Sequence, residues 1–165
     1  MVFSDGNHLS KIMLIGDTPG VTDEINRKPF SGDSGKLLDK MLIAINLNRT
    51  LVYITNIINF RLPDNKKPSE YDIKKFKPLI FKHIDIIKPN IILILGSVAL
   101  ETLFEKTYSI SKARGEWLEL NVNNNIINCM PSFHPSFLIR QPDQKKRSWD
   151  DLKKFKNKVI EENLC

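Results

Sequence analysis

The chain has 165 residues, 41% of them hydrophobic, which is enough for one ordinary core and too little for two comfortable domains, so residues 1–165 are expected to form one domain. No run reaches the ~18 consecutive apolar residues that would span a bilayer. The opening MVFSDGNHLSK has no apolar signal-peptide core, and the two cysteines, Cys129 and Cys165, make neither a disulfide framework nor a zinc pattern. A cytoplasmic protein, with no membrane partner and expected to be a monomer, fits these features. The formal charge of +6 admits two readings: a polyanionic partner, bound by displacing counterions from phosphates, or solvated lysines in a chain rich in Lys, Asn and Ile throughout.

In chain order, Lys11 to Ile15 (KIMLI) is a short apolar run of the kind buried on both faces of a parallel sheet. SGKLLDKMLIAINL from Ser34 then repeats apolar residues at helical spacing through Leu37, Leu38, Met41, Leu42 and Ile45, with Asp33 or Ser34 as N-cap. Leu51 to Thr55 (LVYIT) reads as a second strand. The stretch PSEYDIKKFKPLIFKHIDIIK reads as a second helix capped by Ser69, which Pro78 should bend or interrupt. Asn90 to Leu95 is a third strand, Ser97 to Lys106 a third helix, Ile126 to Met130 a fourth strand, and a last helix starts at Ser148. The order β-α-β-α-β-α-β-α, closed by right-handed crossovers, predicts a three-layer α/β/α sandwich around a four-stranded parallel sheet.

In such sheets ligands bind beyond the carboxyl ends of the strands. The four strands are followed there by GDTPG (Gly16 to Gly20), Asn56, Gly96 and PSFHPS (Pro131 to Ser136). Each alone is weak. GDTPG could be a tight turn, with neither the P-loop nor the GxGxxG pattern present; Asn56 could tie a loop, and His134 could be a satisfied structural histidine. The topology nevertheless brings a carboxylate, an amide and an imidazole held between two prolines to one rim, which favours a site.

These segments, together with RKPFSGDSGKLLDKML, VYITNIINFRLPDNKKPSE, ILILGSVALETLF, ARGEW and SFHPSFLIR, resemble the family-4, iron-sulfur type of uracil-DNA glycosylase over nearly the whole chain. The resemblance implies a glycosylase that flips uracil out of DNA and hydrolyses its N-glycosidic bond in base excision repair. It assigns Phe30 as the ring on which the base stacks and Asn56 as the amide that reads the pyrimidine edge. Backbone groups of Gly16 and Thr18 would meet the pyrimidine oxygens, and Asp23 would crowd the C5 methyl of thymine. His134 would stabilise the departing base, and Asp17 would act on the attacking water. DNA would be gripped by Arg61, Ser136, Phe137, Leu138, Arg140 and Lys145, with Phe137 and Leu138 as wedges. No lysine stands in the rim motifs to form a Schiff base, which implies a monofunctional enzyme.

The sequence departs from the family pattern twice. Asp17 stands where the family has Glu, one methylene longer, so reduced or retuned activity is expected. Phe60 and Phe76 stand where two thiolate ligands of the family's four-iron cluster are expected, and phenyl rings cannot ligate iron, so no cluster and no other cofactor or metal is expected. A catalytically weak DNA-binding relative, or a glycosylase for another deaminated base, remains the alternative.

Overall fold

A computed structural model describes residues 1–105 and 107–165 of the chain. Four parallel strands run β3(Tyr53–Asn56), β2(Ile12–Gly16), β4(Ile91–Leu95), β6(Asn125–Ser132) across the sheet. Ile12 to Ile15 and Ile91 to Leu95 are wholly buried, so these strands show no polar alternation because both faces are covered. Ile12, Leu14, Leu93 and Leu95 face one layer, α2(Asp33–Ala44), α6(Pro135–Arg140) and α7(Lys145–Glu161), through Leu38, Leu138, Leu152 and Phe155. Met13, Ile15, Ile92 and Ile94 face the other, α3(Glu70–Ile87) and α4(Ser97–Leu103), through Phe76, Ile80, Ile84 and Leu100. Each fully buried Leu or Ile contributes about 1.5–3 kcal/mol of transfer free energy.

The sheet has six strands, not the four expected. Edge strand β1(Ser4–Gly6) pairs antiparallel with β3, and β5(Leu118–Val122) pairs antiparallel with β6 through a two-residue hairpin. Asn123 and Asn124, at φ 51° and 66°, form that turn, which needs left-handed backbone at both positions. β1 is too short to carry a pattern. In β5 every second residue faces solvent, so it lacks the apolar run that marks the central strands.

The helices differ from expectation at their ends. α2 starts at Asp33 with Gly32 as its N-cap, so neither Asp33 nor Ser34 caps it. α3 is capped by Ser69 as expected: Ser69 Oγ accepts from the Asp72 amide, and the Asp72 carboxylate accepts from the Ser69 amide at 2.9 Å. Pro78 does not interrupt it. The packing of Phe76, Ile80, His83 and Ile84 on the sheet carries the helix past the lost backbone donor. α7 begins at Lys145, three residues before Ser148, which is buried. Helices α1(Val21–Asn26), α5(Ile110–Ala113) and α6 are too short to announce themselves by periodicity. Lys106, the expected end of the third helix, lies outside the described residues.

Candidate active site

The carboxyl ends of the four parallel strands converge as the topology requires. β2 and β3 end in register at Gly16 and Asn56, the Ile57 amide donates to Gly16 O at 2.9 Å, and the Gly96 amide donates to Ser132 O at 3.1 Å. A cavity of about 350 Å³ opens above them, and its lining includes Asp17, Thr18, Asp23, Phe30, Asn56 and His134. A second cavity of about 360 Å³ adjoins it, sharing Asp17, His134 and Ser136 and continuing to Ser97, Ser111, Phe137 and Arg140.

Asn56 is 1% exposed, and neither its Nδ2 nor its Oδ1 has a hydrogen-bond partner among the described residues. An amide unsatisfied at both ends loses its hydration on folding, a cost that a complementary group entering the cavity would remove. Phe30 lies beside it. A Cβ on Gly16 would come within 2.5 Å of both Asn56 Oδ1 and the Phe30 ring, so only glycine lets those two side chains sit this close to the strand end.

His134 is the N-cap of α6, and its own ring does the capping: the Ser136 amide donates to Nδ1 at 3.0 Å, and Ser136 Oγ lies 2.7 Å from the same nitrogen. With Nδ1 accepting, the neutral ring carries its proton on Nε2. Burial, reinforced by the Arg140 charge and opposed by Asp23, pushes the imidazole pKa down from 6.5 to about 4, so the ring is neutral near pH 7. It stacks on Phe30 with ring centroids 5.4 Å apart.

Asp17 Oδ1 accepts the Ala99 amide of α4 at 2.8 Å. The carboxylate lies over Gly96, at φ 114°, where a Cβ would be 2.6 Å from both Asp17 oxygens. Burial pushes its pKa up to about 7; the Ala99 amide opposes the rise and Glu101 adds to it. The short side chain is thus drawn toward the first turn of α4, on the wall between the two cavities. Asp23 spends both oxygens locally, accepting from the Gly20 amide at 3.0 Å and the Ser31 amide at 2.7 Å, so it braces the cavity loops while lining them.

The residues expected to grip DNA are less uniform. Arg140 and Lys145 are exposed, Ser136 is committed to His134, and Arg61 donates from Nε to Glu24 Oε2 at 2.8 Å. Phe137 is half-buried against Phe133, with centroids 4.8 Å apart. Leu138 does not fit a wedge: at 1% exposure it belongs to the core beside Leu152, because the turn of α6 points it inward. Its neighbour Ile139 is 46% exposed instead. The rim motifs themselves hold no lysine, but one reaches the cavity from outside them. The short 3-10 turn Pro63–Asn65 brings Lys66 to the cavity lining. Ser97 and Ser111 were not singled out by sequence, and nothing in their local pattern marks them.

Phe60 and Phe76 meet, with ring centroids 6.1 Å apart at 56°; Phe76 is buried and Phe60 half-exposed. The contact is hydrophobic and offers no donor to iron. Of the two cysteines, Cys129 is buried in β6 and Cys165 is exposed at the last position. These residues do not fit a four-thiolate cluster.

The rim thus gathers an unsatisfied amide, an aromatic ring, a neutral imidazole and a buried carboxylate around one cavity. Residues 3–153 match the Uracil DNA glycosylase superfamily, and the chain belongs to that superfamily. Its relatives include the type-4 uracil-DNA glycosylase of Saccharolobus solfataricus, 36% identical over 157 residues and covering 92% of this chain and 73% of the relative. The type-4 uracil-DNA glycosylases of Sulfurisphaera tokodaii and Archaeoglobus fulgidus are 34% and 30% identical, covering 94% and 91% of this chain and 73% and 77% of their own.

Proposed function

We propose that this chain is a uracil-DNA glycosylase that hydrolyses the N-glycosidic bond of uracil in DNA, releasing the free base as a monofunctional enzyme of base excision repair. The observation that carries the reading is Asn56, whose buried amide offers an unsatisfied donor and acceptor side by side. Uracil presents O4 as acceptor beside N3–H as donor, which pairs with both. In the amide orientation that pairs with uracil, cytosine would set donor against donor and acceptor against acceptor.

In this mechanism the flipped base stacks on Phe30 and is read by Asn56. As the glycosidic bond lengthens, negative charge grows on the base and positive charge on the sugar. The Nε2–H of neutral His134 is free to donate toward uracil O2 and stabilises that charge. Asp17, once ionised, orients or deprotonates the water that attacks the sugar and favours its cationic character. Gly16 and Thr18 shape the near wall, and the exposed Arg140 and Lys145 supply cations for the phosphates.

The same reading takes the chain to work without an iron-sulfur cluster, in the cytoplasm and as a monomer. The Phe60–Phe76 contact supports the first point, since it joins the segment after β3 to α3 by packing rather than by a metal.

The test is incubation with an oligonucleotide carrying one uracil, followed by alkali. Strand cleavage at the uracil after alkali, release of free uracil and no cutting before alkali are expected. Borohydride trapping discriminates the mechanism, because Lys66 stands at the cavity: a covalent protein–DNA adduct would overturn the monofunctional assignment. Absence of uracil release from single-stranded, U·G and U·A substrates alike would overturn the enzyme.

A further inference from the structure

We infer that Arg49 is a positioning residue for base capture, forking onto the carbonyls of Pro29 and Phe30 and holding Phe30 in the backbone conformation that presents its ring to the cavity. The inference rests on Phe30 being the stacking platform proposed above.

Phe30 has φ 52°, in the left-handed region that bulky residues avoid because Cβ crowds the carbonyl. A ring needed at a fixed spot must therefore be held there from outside. On the side of the chain that opens to the cavity, the ring is fitted against Gly16 and stacked on His134. Behind it, Arg49 Nη1 donates to Pro29 O at 3.0 Å and Nη2 donates to Phe30 O. A Cβ on Gly35 would lie 1.6 Å from that same Phe30 oxygen, so the carbonyl is seated in a gap that only glycine leaves in α2. Asp23 pins the next residue by accepting the Ser31 amide. The platform is thus clamped on both sides.

Arg49 is itself fixed by two carboxylates on different elements. Its Nε donates to Asp39 Oδ1 in α2 at 2.7 Å, and Nη1 meets Asp5 Oδ2 in β1 at 2.9 Å. With its charge spent on two acids and its side chain 18% exposed, Arg49 is not a phosphate grip. It does not line the cavity either, so it acts through Phe30. The arrangement needs a planar fork with several donors in fixed directions, which lysine lacks.

The test uses Arg49→Lys and Arg49→Gln in the full chain, with two readouts. The first is the backbone and Cβ chemical shifts of Phe30 in labelled protein, which report its left-handed conformation without reference to activity. The second is the single-turnover rate on saturating uracil-containing DNA, alongside the Kd for uracil-free DNA of the same sequence. Arg49→Lys should move the Phe30 shifts away from the left-handed pattern and slow the rate about 10- to 100-fold, as misplacement of a substrate-positioning group does, with Kd for uracil-free DNA unchanged. Arg49→Gln, whose amide ends where the Arg49 Nε stands and so falls short of both carbonyls, should lose at least as much. Asp39→Asn leaves the fork on both carbonyls and should keep most of the rate. Unchanged Phe30 shifts in either Arg49 variant would overturn the clamp, and so would a rate loss in Asp39→Asn equal to that of Arg49→Lys. Full activity of Phe30→Ala would instead overturn the platform, while the chemical shifts still decide the clamp.

Discussion

The pKa of Asp17 gives the sharpest handle on the chemistry. If Asp17 acts on the attacking water, only its ionised form is active, and burial has moved its pKa from 3.8 to about 7. The ionised fraction is then about 0.09 at pH 6 and about 0.91 at pH 8, so the single-turnover rate should rise about tenfold between them, nearing unit slope only below pH 6 and levelling off above pH 8. His134, with its pKa near 4, stays neutral throughout and adds no limb in that range. Stability should run the other way. A carboxyl whose folded pKa lies above its unfolded one contributes stability that is complete below about 3.8 and is lost as pH rises through about 7. Asp17→Asn should therefore abolish the rising rate, cost about two to four powers of ten at pH 8, and gain in melting temperature relative to the parent as pH increases. Asp17→Glu, reaching past the first turn of α4, should shift the midpoint to lower pH. The measurements are single-turnover kinetics on a uracil oligonucleotide from pH 5.5 to 8.5 and thermal melts over the same range. A flat parent profile, or one that Asp17→Asn reproduces, would refute the assignment of Asp17 as the ionising group.

His134→Ala should slow the chemical step by about two to three powers of ten while leaving DNA affinity nearly unchanged, as loss of an oxyanion donor does; single-turnover rates at saturating enzyme read it directly. Asn56→Asp removes the amide donor and should lower both the rate on uracil and the preference for uracil over cytosine, measured on matched oligonucleotides. Gly16→Ala places a methyl 2.5 Å from Asn56 Oδ1 and from the Phe30 ring, so it should block base capture in a protein that still folds, as circular dichroism and uracil release would show together. Phe76→Ala should destabilise the fold by about 3 kcal/mol and Phe60→Ala by about 1, in line with their burial, in chemical denaturation. Freshly purified protein should contain no stoichiometric iron or acid-labile sulfide.

The central sheet was legible because strands covered on both faces need uninterrupted apolar runs, and KIMLI and NIILIL are such runs. β5 escaped because one of its faces is wet, and β1 because three residues hold no period. The rim followed from topology alone: Asp17, Asn56 and His134 are far apart in sequence, yet each sits at or just past the end of a parallel strand. What did not follow was direction within short elements. The segment SFLIR reads as a basic loop with apolar tips, and only the helical turn of α6 shows that Leu138 points inward and Ile139 outward. The Arg49 clamp had no sequence signal at all, because its donors and acceptors come from residues 5, 29, 30, 39 and 49 and share no spacing. Asp17 reads in the sequence as one methylene shorter than the family's Glu, but its attachment to the Ala99 amide depends on where α4 begins in space.

The capping of α6 by His134 ties two jobs to one side chain. Removing the imidazole takes away the first-turn acceptor of a helix as well as the proposed donor to the base, so substitutions at this position differ in what else they break. Asparagine is among the best N-caps and cannot reproduce the reach of Nε2. His134→Asn should therefore keep the helix seated and the Asn56–Phe30 pocket intact while cutting the bond as slowly as His134→Ala. Such a protein would hold uracil in DNA and mark it, turning a repair fold into a probe for deaminated cytosine along a genome.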